Sequence, residues 1–466
     1  MGLPASLADA LEAIGWTPRR LATAVNAWLS RHGKAKLRID ATTPYAWLPP
    51  RSYVPRAPLP DVVAIVISDQ LGCRVTAGHL WPLLSRLPRE VPDAVHGLAE
   101  TTSLEQLLSA IGELTTATGA AEFDLHVSRG VDLTAAVLDK LYVSVQLARR
   151  TAERDWVLGP QVDLIASHIA ALRRLDDRHG GGALSVRYVT AELRAVLDLL
   201  AHGSYEARVG RDLMCIVADL GQLLGWLQFD SGRHGLAQRY LLLSARMAQA
   251  VGMAGRSANA VGMLAYVSAF AGHGLEAMQV ADAASRQCPP GDPVLMARIK
   301  GRQATAAAAA GDLSSFRAAS MAAQDLVNRS PRSDVAPFLY YVEPEQLAAE
   351  AGQGLVVLAE RAVTYRRRLL DEAVDLLEPL SRSGARPDYP RSALVHATFL
   401  AKAHLMRRDL DSVVEALRWA LERLADVQSP RGRTYLHELR PALVHRKRAV
   451  VVRDFLPEFD AALSES

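Results

Sequence analysis

The chain has 466 residues, too many for one ordinary core, so two or three domains are expected. Half of the residues are hydrophobic and 22% are charged, a globular balance that excludes an intrinsically disordered chain. The formal net charge of +3 names no partner by itself, but it is unevenly placed. Ala, Leu and Arg dominate and aromatics make up 6%, which favours helix over strand.

The first residues, MGLPASLADALEAIGW, lack a basic region followed by a long apolar stretch, so they do not read as a signal peptide. The small-apolar run at 304–310 is too short to span a bilayer. Cys73, Cys215 and Cys288 are widely spaced and odd in number, and no pair has metal-ligand spacing. Buried free thiols in a reducing cytoplasm are expected, with no metal, no cofactor and no membrane partner.

In ASLADALEAI (5–14), Leu7, Leu11 and Ile14 share one helical face, and Gly15 can end that helix. Thr17-Pro18 then gives a cap residue followed by proline in the first turn. The second helix carries Leu21, Val25 and Leu29 and stops at Gly33. Thr43-Pro44 repeats the start signature and opens a short helix through Tyr45, Ala46 and Trp47. After a proline-rich connection, DVVAIVISDQLG reads as a further helix with Val62, Ile65 and Leu71 inward. Between Arg31 and Arg56, six basic residues face a single acid, Asp40, while the remaining chain is slightly acidic. A basic segment on a near-neutral body is the footprint of a polyanion-binding module, although a solvated loop has the same charge.

This order of elements, with IDATTPYAW in the third-helix slot and ISDQLGCRVTAGHLW as its tail, resembles the helix-turn-helix domain of the Cro/repressor-like (XRE) family. The resemblance implies that the helix at Thr43 lies in the major groove of double-stranded DNA. By the same resemblance Thr42, Thr43 and Tyr45 would face bases, and Lys34, Lys36, Arg38 and Arg51 would contact phosphates. Two features depart from the family. The connection from Gly33 to Thr43 is longer than a tight turn, and Pro44 shortens the recognition helix.

Residues 88–160 read as a connector, interrupted by SLEQLLSAIGEL with Ser103 as its cap. A second helix is expected from Asp132 to Asp155, carrying Leu133, Val137, Leu141 and Val145. From residue 161 the chain becomes helix after helix, with self-similarity at about 40 residues. One pattern recurs as Gly225, Gly232, Ala237, Ser244; as Ala265, Gly272, Ala277, Ala284; as Ala304, Gly311, Phe316, Ala323; and as Ala401, Arg408, Val413, Ala420. Small residues let antiparallel helices approach, and the Gly position falls in the turn between them.

The pattern resembles a stretched tetratricopeptide repeat, whose units stack into a superhelix. The segments LDDRHGGG (175–182) and GWLQFDSGRHGLAQRYLLLSARMA (225–248) are similar to actinobacterial regulators that join an N-terminal helix-turn-helix to a tetratricopeptide domain. Some of those act as negative regulators of differentiation and antibiotic production. The resemblance implies an all-α fold with a helix-turn-helix domain at 1–87, a linker with helical segments at 88–160 and a repeat domain at 161–466. It further implies a homodimeric, repressor-type regulator with a peptide or small-molecule effector.

Projecting the repeat places Asp219, Gln222, Trp226 and Asp230 on the concave face, followed by Asn259, Tyr266 and Phe270, then Arg298 and Thr305. Amides can bridge an extended backbone and aromatics can anchor apolar groups, while packing between repeats is the competing role for the aromatics. Arg239 and Tyr240 fall on second helices and read as structural. Asp176, Asp177, Arg178 and His179 sit at a helix end before three glycines and read as ionic capping. The chain carries no G-x-x-x-x-G-K-[ST], H-E-x-x-H or G-x-S-x-G pattern, so no enzyme is expected. The alternative from another class is an adaptor that holds a protein partner in the array.

Overall fold

A computed structural model of the chain describes residues 4, 6–31, 35–49, 53–56, 58–72, 75–81, 103–120, 125, 127–128, 133, 136–137, 156–331, 335–362 and 364–464. Among them the regular elements are helical, and one isolated bridge joins Trp156 to Ser204. No described helix is long and apolar enough to cross a membrane.

The N-terminal region holds α1 (Leu7–Ala13), α2 (Pro18–Arg31), α3 (Leu59–Leu71) and α4 (Ala77–Leu80). Ser6 Oγ accepts the Asp9 N–H to start α1, and Thr17 Oγ1 accepts the Arg20 N–H to start α2. Leu21, Val25 and Leu29 are fully buried, as their spacing requires. In α3 the buried residues include Val62, Val63, Ala64, Val66 and Ile67; Ile65 and Leu71, expected inward, are only half-buried. An almost wholly apolar helix has no sharp stripe, so its periodicity cannot fix the face. Trp28, Trp47 and Trp81 complete this core, with Trp47 and Trp81 edge-to-face at 6.1 Å.

The stretch read as a connector supplies α5 (Leu104–Ala120), started by a reciprocal cap between Ser103 and Gln106. Its Leu107, Ile111 and Leu114 are buried in a core shared with the array. Only Leu133, Ala136 and Val137 of the helix expected over 132–155 are described; they are buried against the array.

The array consists of seven successive hairpins. They are α6 (Gly159–His179) with α7 (Ala183–His202), α8 (Ala207–Asp230) with α9 (His234–Ala250), and α10 (Ala254–Phe270) with α11 (Gly274–Gln287). Next come α12 (Pro293–Ala310) with α13 (Leu313–Arg329), and α14 (Pro344–Arg361) with α15 (Arg366–Ser381). The last are α16 (Pro390–Arg407) with α17 (Leu410–Leu424), and α18 (Pro430–His445) with α19 (Val450–Ser464).

From α7 to α17 each helix packs on the next, α18 packs on α19, and α10, α12, α14 and α16 also touch in series. At Gly225 a side chain would collide with Leu241 of α9, 2.7 Å away, so this close approach requires glycine. Gly232, Gly272 and Gly311 turn their hairpins at φ of 74°, 90° and 83°, and Arg408 takes the same position at 64°.

The series then meets itself. Helix α6 packs on α16, and α8 packs on α18. The backbone N–H of Gln428 donates to the carbonyl oxygen of His179 at 2.7 Å. The first helices of all seven hairpins therefore surround one interior.

Candidate functional site

Side chains three or four apart on a helix share a face, and each first helix turns such a face inward. Helix α6 contributes Arg173, Asp176 and Asp177; α8 contributes Gln222 and Trp226; α10 contributes Met263 and Tyr266. Arg298 and Arg302 come from α12, and Gln346, Glu350 and Gln353 from α14. Arg391 and His396 come from α16, and Arg431 from α18. Two connections close the space with Phe338, Tyr340 and Tyr341, and with Arg386 and Tyr389. The cavity measures about 100 Å³.

Charge is concentrated here far beyond what a buried core tolerates without pairing. Arg391 lies 3.0 Å from Asp176 and 3.2 Å from Asp177, and its Nη1 is 3.8 Å from Asp230. Arg431 Nε is 3.2 Å from Asp230, whose carboxylate also accepts the Ser429 hydroxyl at 3.1 Å. Tyr340 donates its hydroxyl to Asp177. On the opposite wall Arg298 grips both oxygens of Glu350, and Gln346 donates to the same carboxylate at 3.1 Å.

Burial pushes the Asp176 carboxyl up to about 7 against the pull of Arg391, with Asp230 and Asp177 adding to the rise. Burial also raises Asp177, opposed by Arg391 and the Tyr340 hydroxyl. His396 is pulled down to about 4, mainly by burial. Its neutral ring accepts from Gln353 at 2.9 Å on Nδ1 and faces Gln346 Oε1 at 3.4 Å on Nε2.

Of the residues projected onto the concave face, Gln222, Trp226, Tyr266 and Arg298 line the cavity. Asp219 is held by Arg173 at 3.3 Å and by Arg256 at 3.1 Å. Asp230 is completely buried behind Arg391 and Arg431. Asn259 is buried within α10, and Phe270 packs on Tyr266 and Phe229 at 4.6 and 5.6 Å. Trp226 serves packing and lining together: its ring meets Phe229 at 5.4 Å, while Arg391 and Arg431 lie over it at 5.1 and 5.3 Å. Thr305 back-bonds to Gly301 O. Arg239 and Tyr240 are buried on α9.

Asp176 and Asp177 differ from the capping role read for them. They reach across the seam to α16, while His179 gives its carbonyl oxygen to Gln428. Sequence reasoning also missed Arg173, Arg302, Glu350, Arg391 and Arg431. One signal was available: Arg302 lies one turn beyond the projected Arg298.

In the N-terminal region the expected recognition element is a five-residue 3-10 helix, Thr43–Trp47, with Pro44 and Trp47 buried and Tyr45 51% exposed. Proline removes a donor, and both the N–H and the hydroxyl of Thr42 are bonded to Asp40 Oδ1, at 2.8 and 2.6 Å. Asn26 of α2 clamps Ile39 by two backbone bonds of 2.8 and 2.9 Å. Lys36, Arg38 and Thr42 are exposed and Thr43 is half-buried; Lys34, Arg51 and Cys73 lie outside the described residues. Cys215 and Cys288 are free thiols, Cys215 buried and Cys288 half-buried.

Comparison with known proteins adds one result. Residues 7–80, which contain α1 to α4, match the family model described as the SP15 N-terminal domain. No curated protein matches the chain.

Proposed function

We propose that the chain is a DNA-binding regulator of transcription, with a helix-turn-helix-like N-terminal domain and a tetratricopeptide-like array that holds an effector. The observation carrying this reading is a physical link between a basic domain and the array whose interior holds the charged cavity. Residues 7–80 form a domain with its own core and expose Lys36, Arg38 and Tyr45. Val127 N–H donates to Asp69 of α3 at 2.8 Å, and Ser128 exchanges bonds of 2.8 and 3.1 Å with Gln238 of α9. Residues 127–128 thus touch both the basic domain and the array wall. An effector that shifts the wall has a route to the domain that would meet DNA.

The test is an unbiased selection of genomic fragments by the purified full chain, followed by chromatin immunoprecipitation. Enrichment of a sequence whose binding weakens steeply with salt supports the reading. Absence of enrichment in both refutes it.

The short 3-10 helix and the engaged Thr42 favour a second reading, in which the array holds a protein partner and the N-terminal domain only docks. Partner capture that survives charge neutralisation of Lys36 and Arg38, with phenotype unchanged, selects that reading.

A further inference from the structure

Three of the four most deeply buried guanidiniums in the cavity form ion pairs with carboxylates, and Arg302 forms none. Arg391 and Arg431 share Asp176, Asp177 and Asp230. Arg298 takes Glu350 through both oxygens, leaving that carboxylate with Gln346 as its other partner. Arg302 is 3% exposed and stands one turn from the positive Arg298 on α12. Its one hydrogen bond goes from Nη2 to the Tyr341 hydroxyl at 3.3 Å, and Nε and Nη1 have no partner. The face of its guanidinium lies over the Tyr266 ring at 5.5 Å. Burial pulls its basicity down and the Arg298 charge adds to that pull, while Tyr341 and the more distant Glu350 carboxylate oppose it.

Arg298 and Arg302 thus have the single carboxylate of Glu350 between them; two buried cations facing one acid is unfavourable, and water in the cavity would satisfy hydrogen bonds but not neutralise the excess charge. We infer that the cavity binds a compact oxyanion, a carboxylate or phosphate group on a small molecule, with Arg302 as its counter-charge. The inference rests on reading the array as an effector-binding body and names the chemistry of that effector. Tyr341 accepts from Arg302 and keeps its own O–H to donate to the anion. Phe338 and Tyr266 form apolar walls around it. The volume of about 100 Å³ restricts the buried part to a few non-hydrogen atoms, since a benzene-sized guest occupies a cavity of ~150 Å³. A guanidinium suits this task because its planar donors match the oxygens of carboxylates and phosphates.

The test uses the full chain at neutral pH. Sodium phosphate, sodium acetate and sodium succinate are titrated by calorimetry and by thermal melting against sodium chloride of equal ionic strength. A saturable rise in melting temperature with phosphate or with a carboxylate, beyond that in chloride, is expected. Arg302→Met should bind that anion roughly ten- to a hundredfold more weakly and melt no lower than wild type in chloride. Responses no larger than chloride, or an undiminished response in Arg302→Met, overturn the inference. If Arg302→Met does not fold, Arg302→Lys decides. Loss of the fork should still weaken the anion, and full retention of affinity overturns the assignment. DNA retardation on the same preparations separates the two readings: intact DNA binding without an anion response refutes this inference alone, and the converse refutes the DNA reading alone.

Discussion

The guanidinium of Arg391 lies 3.0 Å from the carboxylate of Asp176, and this pair joins the sixth hairpin of the array to the first. Both side chains are almost wholly buried, and Asp177 and Asp230 share the same guanidinium. A helical series that could have stayed open is therefore fastened to its own beginning by charges withdrawn from water.

Removing the shared cation should be severe. Arg391→Met leaves three acids with Arg431 as the remaining close guanidinium, and the expected loss is about 3–5 kcal/mol. Urea unfolding of the full chain measures it; a loss below about 1 kcal/mol would show that the seam is held by its apolar contacts.

The seam should respond to pH with a definite sign. The Asp176 carboxyl titrates near 3.8 when unfolded and about 7 when folded. Between those values the unfolded chain releases a proton that the folded chain keeps, so stability from this group falls as pH rises through that window. Asp176→Asn keeps an acceptor and cannot ionise. Its melting temperature should match wild type near pH 4 and exceed it at pH 8. An equal gap at both values would contradict the buried-acid account.

The turns offer a test independent of charge. Arg408 adopts φ of 64° at the position filled by Gly232, Gly272 and Gly311 in other hairpins. Arg408→Gly should therefore stabilise by about 1 kcal/mol, and Gly272→Ala should destabilise by about 1–2 kcal/mol. No atom lies within 4 Å of a side chain added at Gly272, so that change reports backbone strain alone. Thermal melts of both variants supply the signs.

Lys36 and Arg38 should act additively and without sequence preference if they meet phosphates. Each charge-neutralising change should weaken all DNA fragments alike and reduce the slope of log affinity against log salt by about 1. A change in fragment preference instead would place these side chains at bases.

How much was legible in the sequence differs from element to element. The caps at Ser103 and Thr17 and the stripe of Leu21, Val25 and Leu29 were readable, because each depends on neighbours one turn away. The face of α3 was not, since Val62 through Ile67 are apolar all round and only the surrounding core chooses which turn inward. The helix expected at SLEQLLSAIGEL within 88–160 is present as α5, but the packing of its apolar face on α7 and α9 was not legible, because those partners lie far along the chain.

By itself the sequence determined the helices and the hairpins. Gly225, Gly272, Ala277 and their counterparts recur because close helix approach and positive φ are local demands that few residue types meet. Only the tertiary structure decided that the series closes. Asp176 with Arg391, and His179 with Gln428, are contacts between residues far apart in the chain, formed after many small hairpin rotations have accumulated. That closure turned an expected concave face into a cavity and left Arg302 buried inside it with no carboxylate of its own.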